Sequence, residues 1–193
     1  FLSFILKIVM PGISDLLKKF RFLEIGCRLP EPEISQAIDL ARNSDLSIIV
    51  VGSSDNYESE GEDRPTMKLT GKQDELIESI LNVNQNTIVI INTGSPVEMP
   101  WVNKCPAILQ VWLPGQEGGN AMANVVFGNV NPSGKLPVTF PKKLEDNPSY
   151  GYYPGDKKVF YDEGIYVGYR HYDTKNVDPL FPFGHGLSYT KFD

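Results

Sequence analysis

The sequence is poor in the residues that most often announce chemistry. Its 193 residues include two histidines, His171 and His185, and two cysteines, Cys27 and Cys105. They stand apart, so the short ligand spacings of a zinc site are missing and no metal is expected. The cysteines read as one buried and one surface thiol, or as a disulfide, and the compartment stays open. Positive charge is scarce too: 18 Lys and Arg face 24 Asp and Glu, a formal net charge of -6. With no basic stripe to neutralise phosphates, nucleic acid is excluded as a partner. Glycine patterns for nucleotides are lacking, since Gly52-Ser53-Ser54-Asp55 is not G-x-G-x-x-G and no G-x-x-x-x-G-K-[ST] occurs. Neither Ser95 nor Ser188 sits in the G-x-S-x-G elbow of a serine hydrolase. No cofactor is therefore expected. The apolar run Phe1 to Met10 is too short to span a membrane, and no membrane role is expected. A sequon free of proline is also missing, which removes one hint of secretion.

What is present is alternation of helix and strand patterns. Ile34, Ala37, Ile38 and Ala41 recur at helical spacing, and the helix ends near Asn43-Ser44. Leu46 to Val51 reads as a buried strand stopped by Gly52. Thr70 and Gln73 have the spacing of a capping box opening a helix with Leu76, Ile77, Ile80 and Leu81 on one side. Thr87 to Asn92 is β-branched nearly throughout and reads as a strand covered on both faces. A third strand is expected over Ala107 to Trp112. A third helix then gathers Ala121, Met122, Val125 and Val126, closed by Gly128. Short connections between such elements predict a three-layer α/β sandwich, with a mostly parallel sheet and helices on both faces. Past Asn129 the chain becomes an aromatic-rich irregular segment. Its rings suit packing against the sheet or a neighbouring domain, and can also stack on pyranose faces.

Ligands in open α/β sheets bind beyond the carboxyl ends of the strands. Three segments fall there: the loop after Val51, the Gly94-Ser95-Pro96 turn, and the Pro114-Gly115-Gln116-Glu117 turn. The first is Tyr57-Glu58-Ser59-Glu60-Gly61-Glu62-Asp63-Arg64-Pro65, with four carboxylates inside six residues. On composition alone it is a solvated acidic loop. As a site, crowded carboxylates disfavour one another's ionised forms, which suits a general acid near neutral pH. Asp63 and Arg64 are expected to pair and fix the loop. Glu58 and Glu62 are expected to be solvated charges beside Glu60, and Glu117 is a weaker candidate. With nucleotide and serine chemistry set aside, carboxylate chemistry remains, and glycoside hydrolysis is its commonest form.

The block Glu58 to Pro65, followed by Lys68-Leu69 and Gln73, resembles the E-S-E-G-x-D-R-P motif of glycoside hydrolase family 3 β-glucosidases. Asn92 to Trp101, Trp112 to Gly119 and Phe127 to Pro141 resemble the family's next signatures, in order. Tyr161 to Arg170 and Pro179 to Thr190 complete the likeness, over roughly residues 31–193, with 1–30 unassigned. The resemblance implies the C-terminal sandwich domain of such enzymes, contributing a general acid/base to a site shared with an N-terminal barrel that carries an aspartate nucleophile. On matching positions Glu60 is the acid/base, with Asp63 and Arg64 as its structural support. The implied substrate is a β-glucoside or oligosaccharide, and the chain reads as a fragment without the barrel, inactive alone. A non-catalytic carbohydrate-binding or scaffold module, and a β-xylosidase of the same family, are the alternatives. A large exposed apolar face is expected where the barrel would dock.

Overall fold

The computed structural model describes residues 33–54, 57–61, 63–153 and 157–191. Helix α1 (Ile34–Arg42) leads into β1 (Ser47–Gly52), and α2 (Gln73–Val83) into β2 (Thr87–Asn92). Then come β3 (Ala107–Gln110), α3 (Gly118–Val126) and α4 (Tyr169–Lys175). The three strands form one parallel sheet in the order β1-β2-β3. The chain is thus an α/β sandwich domain built on a parallel sheet.

Register follows from the two-residue period of a strand. Ser47, Ile49 and Val51 of β1 lie opposite Thr87, Val89 and Ile91 of β2, and all six are buried. On that face sits the main core, in which α1 supplies Ala41 and α2 supplies Ile77, Ile80 and Leu81. The intervening residues of β1, Ile48 and Val50, are 43% and 61% exposed. Val97, Met99, Trp101 and Phe140 extend the core beyond β2. Trp101 is fully buried, and its indole N–H donates to Asp74 at 2.9 Å. Burial raises the Asp74 carboxyl above the usual range, against the pull of that hydrogen bond.

Two local readings need correction. Thr70 and Gln73 do not form a capping box, because α2 begins at Gln73 itself and Lys72 occupies the N-cap. The Gln73 amide instead reaches β1, donating to the Gly52 carbonyl at 2.9 Å and accepting its N–H at 2.7 Å. It donates to the Thr70 hydroxyl and carbonyl as well. The third strand stops two residues short of Trp112, which takes φ 53 and turns the chain out of the ladder. Within the aromatic segment a short helix forms where Gly168 (φ 56) admits the chain and left-handed Asn176 ends it. Cys105 is a free, half-buried thiol, while Cys27 lies outside the described residues. Among the described residues, no helix is long and apolar enough to cross a membrane, and no group of three or more His, Cys, Asp or Glu could hold a metal ion.

Candidate functional site

The acidic loop leaves β1 at Gly52 and is fastened at both ends. Next to β1, the Ser53 N–H donates to Asn92 at 3.1 Å, and the Tyr57 and Glu58 N–H groups close on Ser54. At the far end Met67 and Leu69 are buried, and the Met67 carbonyl accepts the Glu98 N–H at 2.9 Å. Between those anchors, Glu58 ties the loop to the turn after β2. One carboxylate oxygen accepts the Gly94 N–H at 2.7 Å, and the other accepts the Ser95 hydroxyl at 3.1 Å. The Arg64 guanidinium donates to that second oxygen at 3.0 Å and also bonds the Ser95 hydroxyl. Only 15% of the Glu58 side chain and 17% of the Arg64 side chain remain exposed.

These contacts correct the expected pairing. Arg64 pairs with Glu58, not with Asp63, because Glu58 faces the Gly94-Ser95 turn whereas Asp63 is exposed. Asp63 instead accepts the Tyr153 hydroxyl on both carboxylate oxygens, at 3.0 and 2.9 Å. The hydrogen bond to Asp63, and after it that carboxylate's charge, raises the Tyr153 phenol above its ordinary range. Glu58 is therefore no solvated charge. Glu62 lies outside the described residues. Glu60 sits on the exposed turn that follows, with no hydrogen-bond partner among the described residues. Glu117 is exposed at the start of α3 and accepts the Asn120 amide at 2.7 Å.

Sequence reasoning named Glu58 but gave it the wrong role, and it missed Tyr153. The signal for Glu58 was the glycine of Gly94-Ser95. A side-chain carbon there would lie 3.1 Å from the Glu58 carboxylate, so glycine permits the close approach. For Tyr153, ninety residues beyond Asp63, no local spacing gives a signal. His185 is structural in its contacts, its ring stacked on Phe181 at 5.1 Å and its carbonyl accepting the Leu136 N–H.

The family model for the glycosyl hydrolase family 3 C-terminal domain matches residues 6–189. The chain belongs to this family. It is 51% identical over 177 residues to a β-glucosidase of Rhizobium radiobacter, covering 88% of this chain and 22% of that protein. It is 52% identical over 166 residues to thermostable β-glucosidase B of Acetivibrio thermocellus, covering 86% and 22%. Among solved structures, the β-glucosidase of Kluyveromyces marxianus in complex with glucose superposes with a TM-score of 0.82 at 40% identity, over 88% of this chain and 20% of that one. DesR, a β-glucosidase from Streptomyces venezuelae in complex with D-glucose, superposes with a TM-score of 0.79 at 46% identity, over 82% and 20%. The chain thus spans about a fifth of the length of the relatives it matches.

Proposed function

We propose that this domain supplies the general acid/base, Glu60, of a retaining β-glycosidase acting on terminal non-reducing β-D-glucosyl residues in carbohydrate catabolism. The observation that carries the reading is the division of labour inside the acidic loop. Glu58 is engaged by three donors and holds the loop, while the carboxylate two residues on stands exposed in the loop that follows β1, with no hydrogen-bond partner among the described residues. The relatives named β-glucosidase support the substrate class.

In a retaining mechanism two carboxyl groups stand about 5 to 5.5 Å apart. Glu60 would donate its proton to the glycosidic oxygen as a nucleophile attacks the anomeric carbon. As the base it would then take a proton from the water that releases the sugar. The nucleophile is assigned to a barrel domain outside this sequence, so the chain alone is inactive and the partner it needs is that barrel. Asp63 and Arg64 support the loop through Tyr153 and Glu58.

The test is hydrolysis of an aryl β-glucoside. The isolated chain should give no turnover, and the chain joined to a family barrel should be active. In the joined enzyme Glu60→Gln should lower kcat by about 10²- to 10⁴-fold. Azide should rescue Glu60→Ala, because a small anion can replace the missing base. Normal turnover by the isolated chain, or a harmless Glu60→Gln beside a severe Glu58→Gln, would overturn the assignment.

A further inference from the structure

The turn that carries Glu60 is fixed by its ends. Ser59, Glu60 and Gly61 are exposed, and open space surrounds the place where a side chain of Gly61 would stand, so packing does not hold Gly61. Glu58 closes one end of the turn on Gly94 and Ser95, and Arg64 at the other end donates to the same Glu58 carboxylate. Both fixed points therefore meet at the turn after β2, and a segment held along one line can still swing about it. Among the described residues, the third point is Asp63, whose carboxylate shares the Tyr153 hydroxyl between its two oxygens at 3.0 and 2.9 Å.

Tyr153 stands on a run of turns that is itself rooted in the fold. The Tyr152 and Tyr153 N–H groups close on the Ser149 carbonyl, and the Tyr150 N–H closes on Asn147. The Asn147 amide bonds the Leu144 carbonyl at 2.8 Å and the sulfur of buried Met67 at 3.3 Å. The Leu144 N–H donates to the Glu98 carboxylate at 3.3 Å, and the Glu98 N–H to the Met67 carbonyl at 2.9 Å. An exposed hydrogen bond adds little net stability. One that starts from a rooted base still sets direction.

A general acid must stand within hydrogen-bond reach of the departing oxygen, and a misplacement of about 1 Å can cost about 10²-fold. Resting on the reading of Glu60 as that acid, we propose that Tyr153 is a positioning residue for the proton transfer. Through Asp63, its hydroxyl removes the swing that the Glu58 clamp leaves, so that Glu60 meets the glycosidic oxygen in one place. Tyr153 does this without touching a reacting atom.

Leaving-group dependence in the joined enzyme tests the proposal. The methoxide of methyl β-glucoside departs only when its oxygen is protonated, whereas the phenolate of 2,4-dinitrophenyl β-glucoside leaves without a proton. Tyr153→Phe removes one hydroxyl from a side chain 55% exposed and leaves the core untouched. It should lower kcat/KM for the methyl glucoside about tenfold, a part of the roughly 10²- to 10⁴-fold that general acid catalysis contributes, and change the dinitrophenyl value far less. Asp63→Ala should show the same selectivity, and the double variant should lose no more than either single one, because both remove the same bond. Asp63→Asn, which still accepts the hydroxyl, should keep most of the rate. Equal losses on the two substrates, or no loss on either, would overturn the proposal. Glu60→Gln is the reference, and its selectivity should have the same sense and be larger. Without that selectivity the acid reading falls, and this proposal with it; a selective Glu60→Gln beside an unselective Tyr153→Phe sinks this proposal alone.

Discussion

The Glu58 carboxylate accepts the backbone N–H of Gly94 at 2.7 Å, linking the loop after β1 to the turn after β2. Ser95 and Arg64 are its other partners among the described residues. Hydrogen bonds to a charged group are each worth about 1.5–3 kcal/mol. Glu58→Gln keeps the shape but removes the charge facing a largely buried Arg64. We expect it to lower unfolding free energy by about 1.5–3 kcal/mol in urea denaturation. A loss below about 0.5 kcal/mol, the range of ordinary surface changes, would mean that the end anchors alone hold the loop.

Gly52 ends β1 against the backbone of β2. A side-chain carbon there would lie 2.1 Å from the Asn92 carbonyl oxygen, a contact that only backbone movement relieves. Gly52→Ala should cost at least about 2 kcal/mol or prevent folding. Gly61, in the same acidic loop, has open space where its side chain would stand. Gly61→Ala should stay within about 0.5 kcal/mol of wild type, read by the same denaturation curves.

These two glycines show where the sequence was legible and where it was not. Composition carried the strands: the apolar run Leu46 to Val51 and the β-branched run Thr87 to Asn92 lie within a residue of Ser47–Gly52 and Thr87–Asn92. The apolar face of α2 was equally plain, because Ile77, Ile80 and Leu81 follow the helical period. Partners of charged and amide side chains were not legible. Arg64 adjoins Asp63 in sequence, yet its ion pair is with Glu58, because the turn after β2 brings Ser95 and Gly94 to the loop. Gln73 likewise has the spacing of a cap but spends its amide on Gly52, a contact made only when helix and strand have packed.

Tyr172 is 4% exposed, and burial, with the Asp146 carboxylate adding to it, pushes its phenol up to about 12 from 10.0. The folded state therefore holds this proton more tightly than the unfolded chain does. Stability from this linkage is present in full below pH 10.0 and is lost as pH rises towards about 12. Denaturation curves across that window should fall more steeply for wild type than for Tyr172→Phe, which has no proton to lose. Parallel decline of the two would refute the linkage.

Ile77 is wholly buried in the main core, whereas Leu40 on α1 is 72% exposed. Ile77→Ala should cost about 2–5 kcal/mol, since it removes transfer energy and leaves a cavity. Leu40→Ala should change stability by no more than about 0.5 kcal/mol. Thermal unfolding of the pair checks both, and equal effects would place the core elsewhere.

Six aligned residue pairs join β1 to β2. Both strands are locked by main-chain pairing and by a shared apolar face, so the exposed turn Ser59 to Gly61, which lies between the anchors Glu58 and Arg64, can change without shifting either strand. Evolution, or an engineer, can rewrite that outward turn around Glu60 as an interchangeable cartridge on an unaltered chassis.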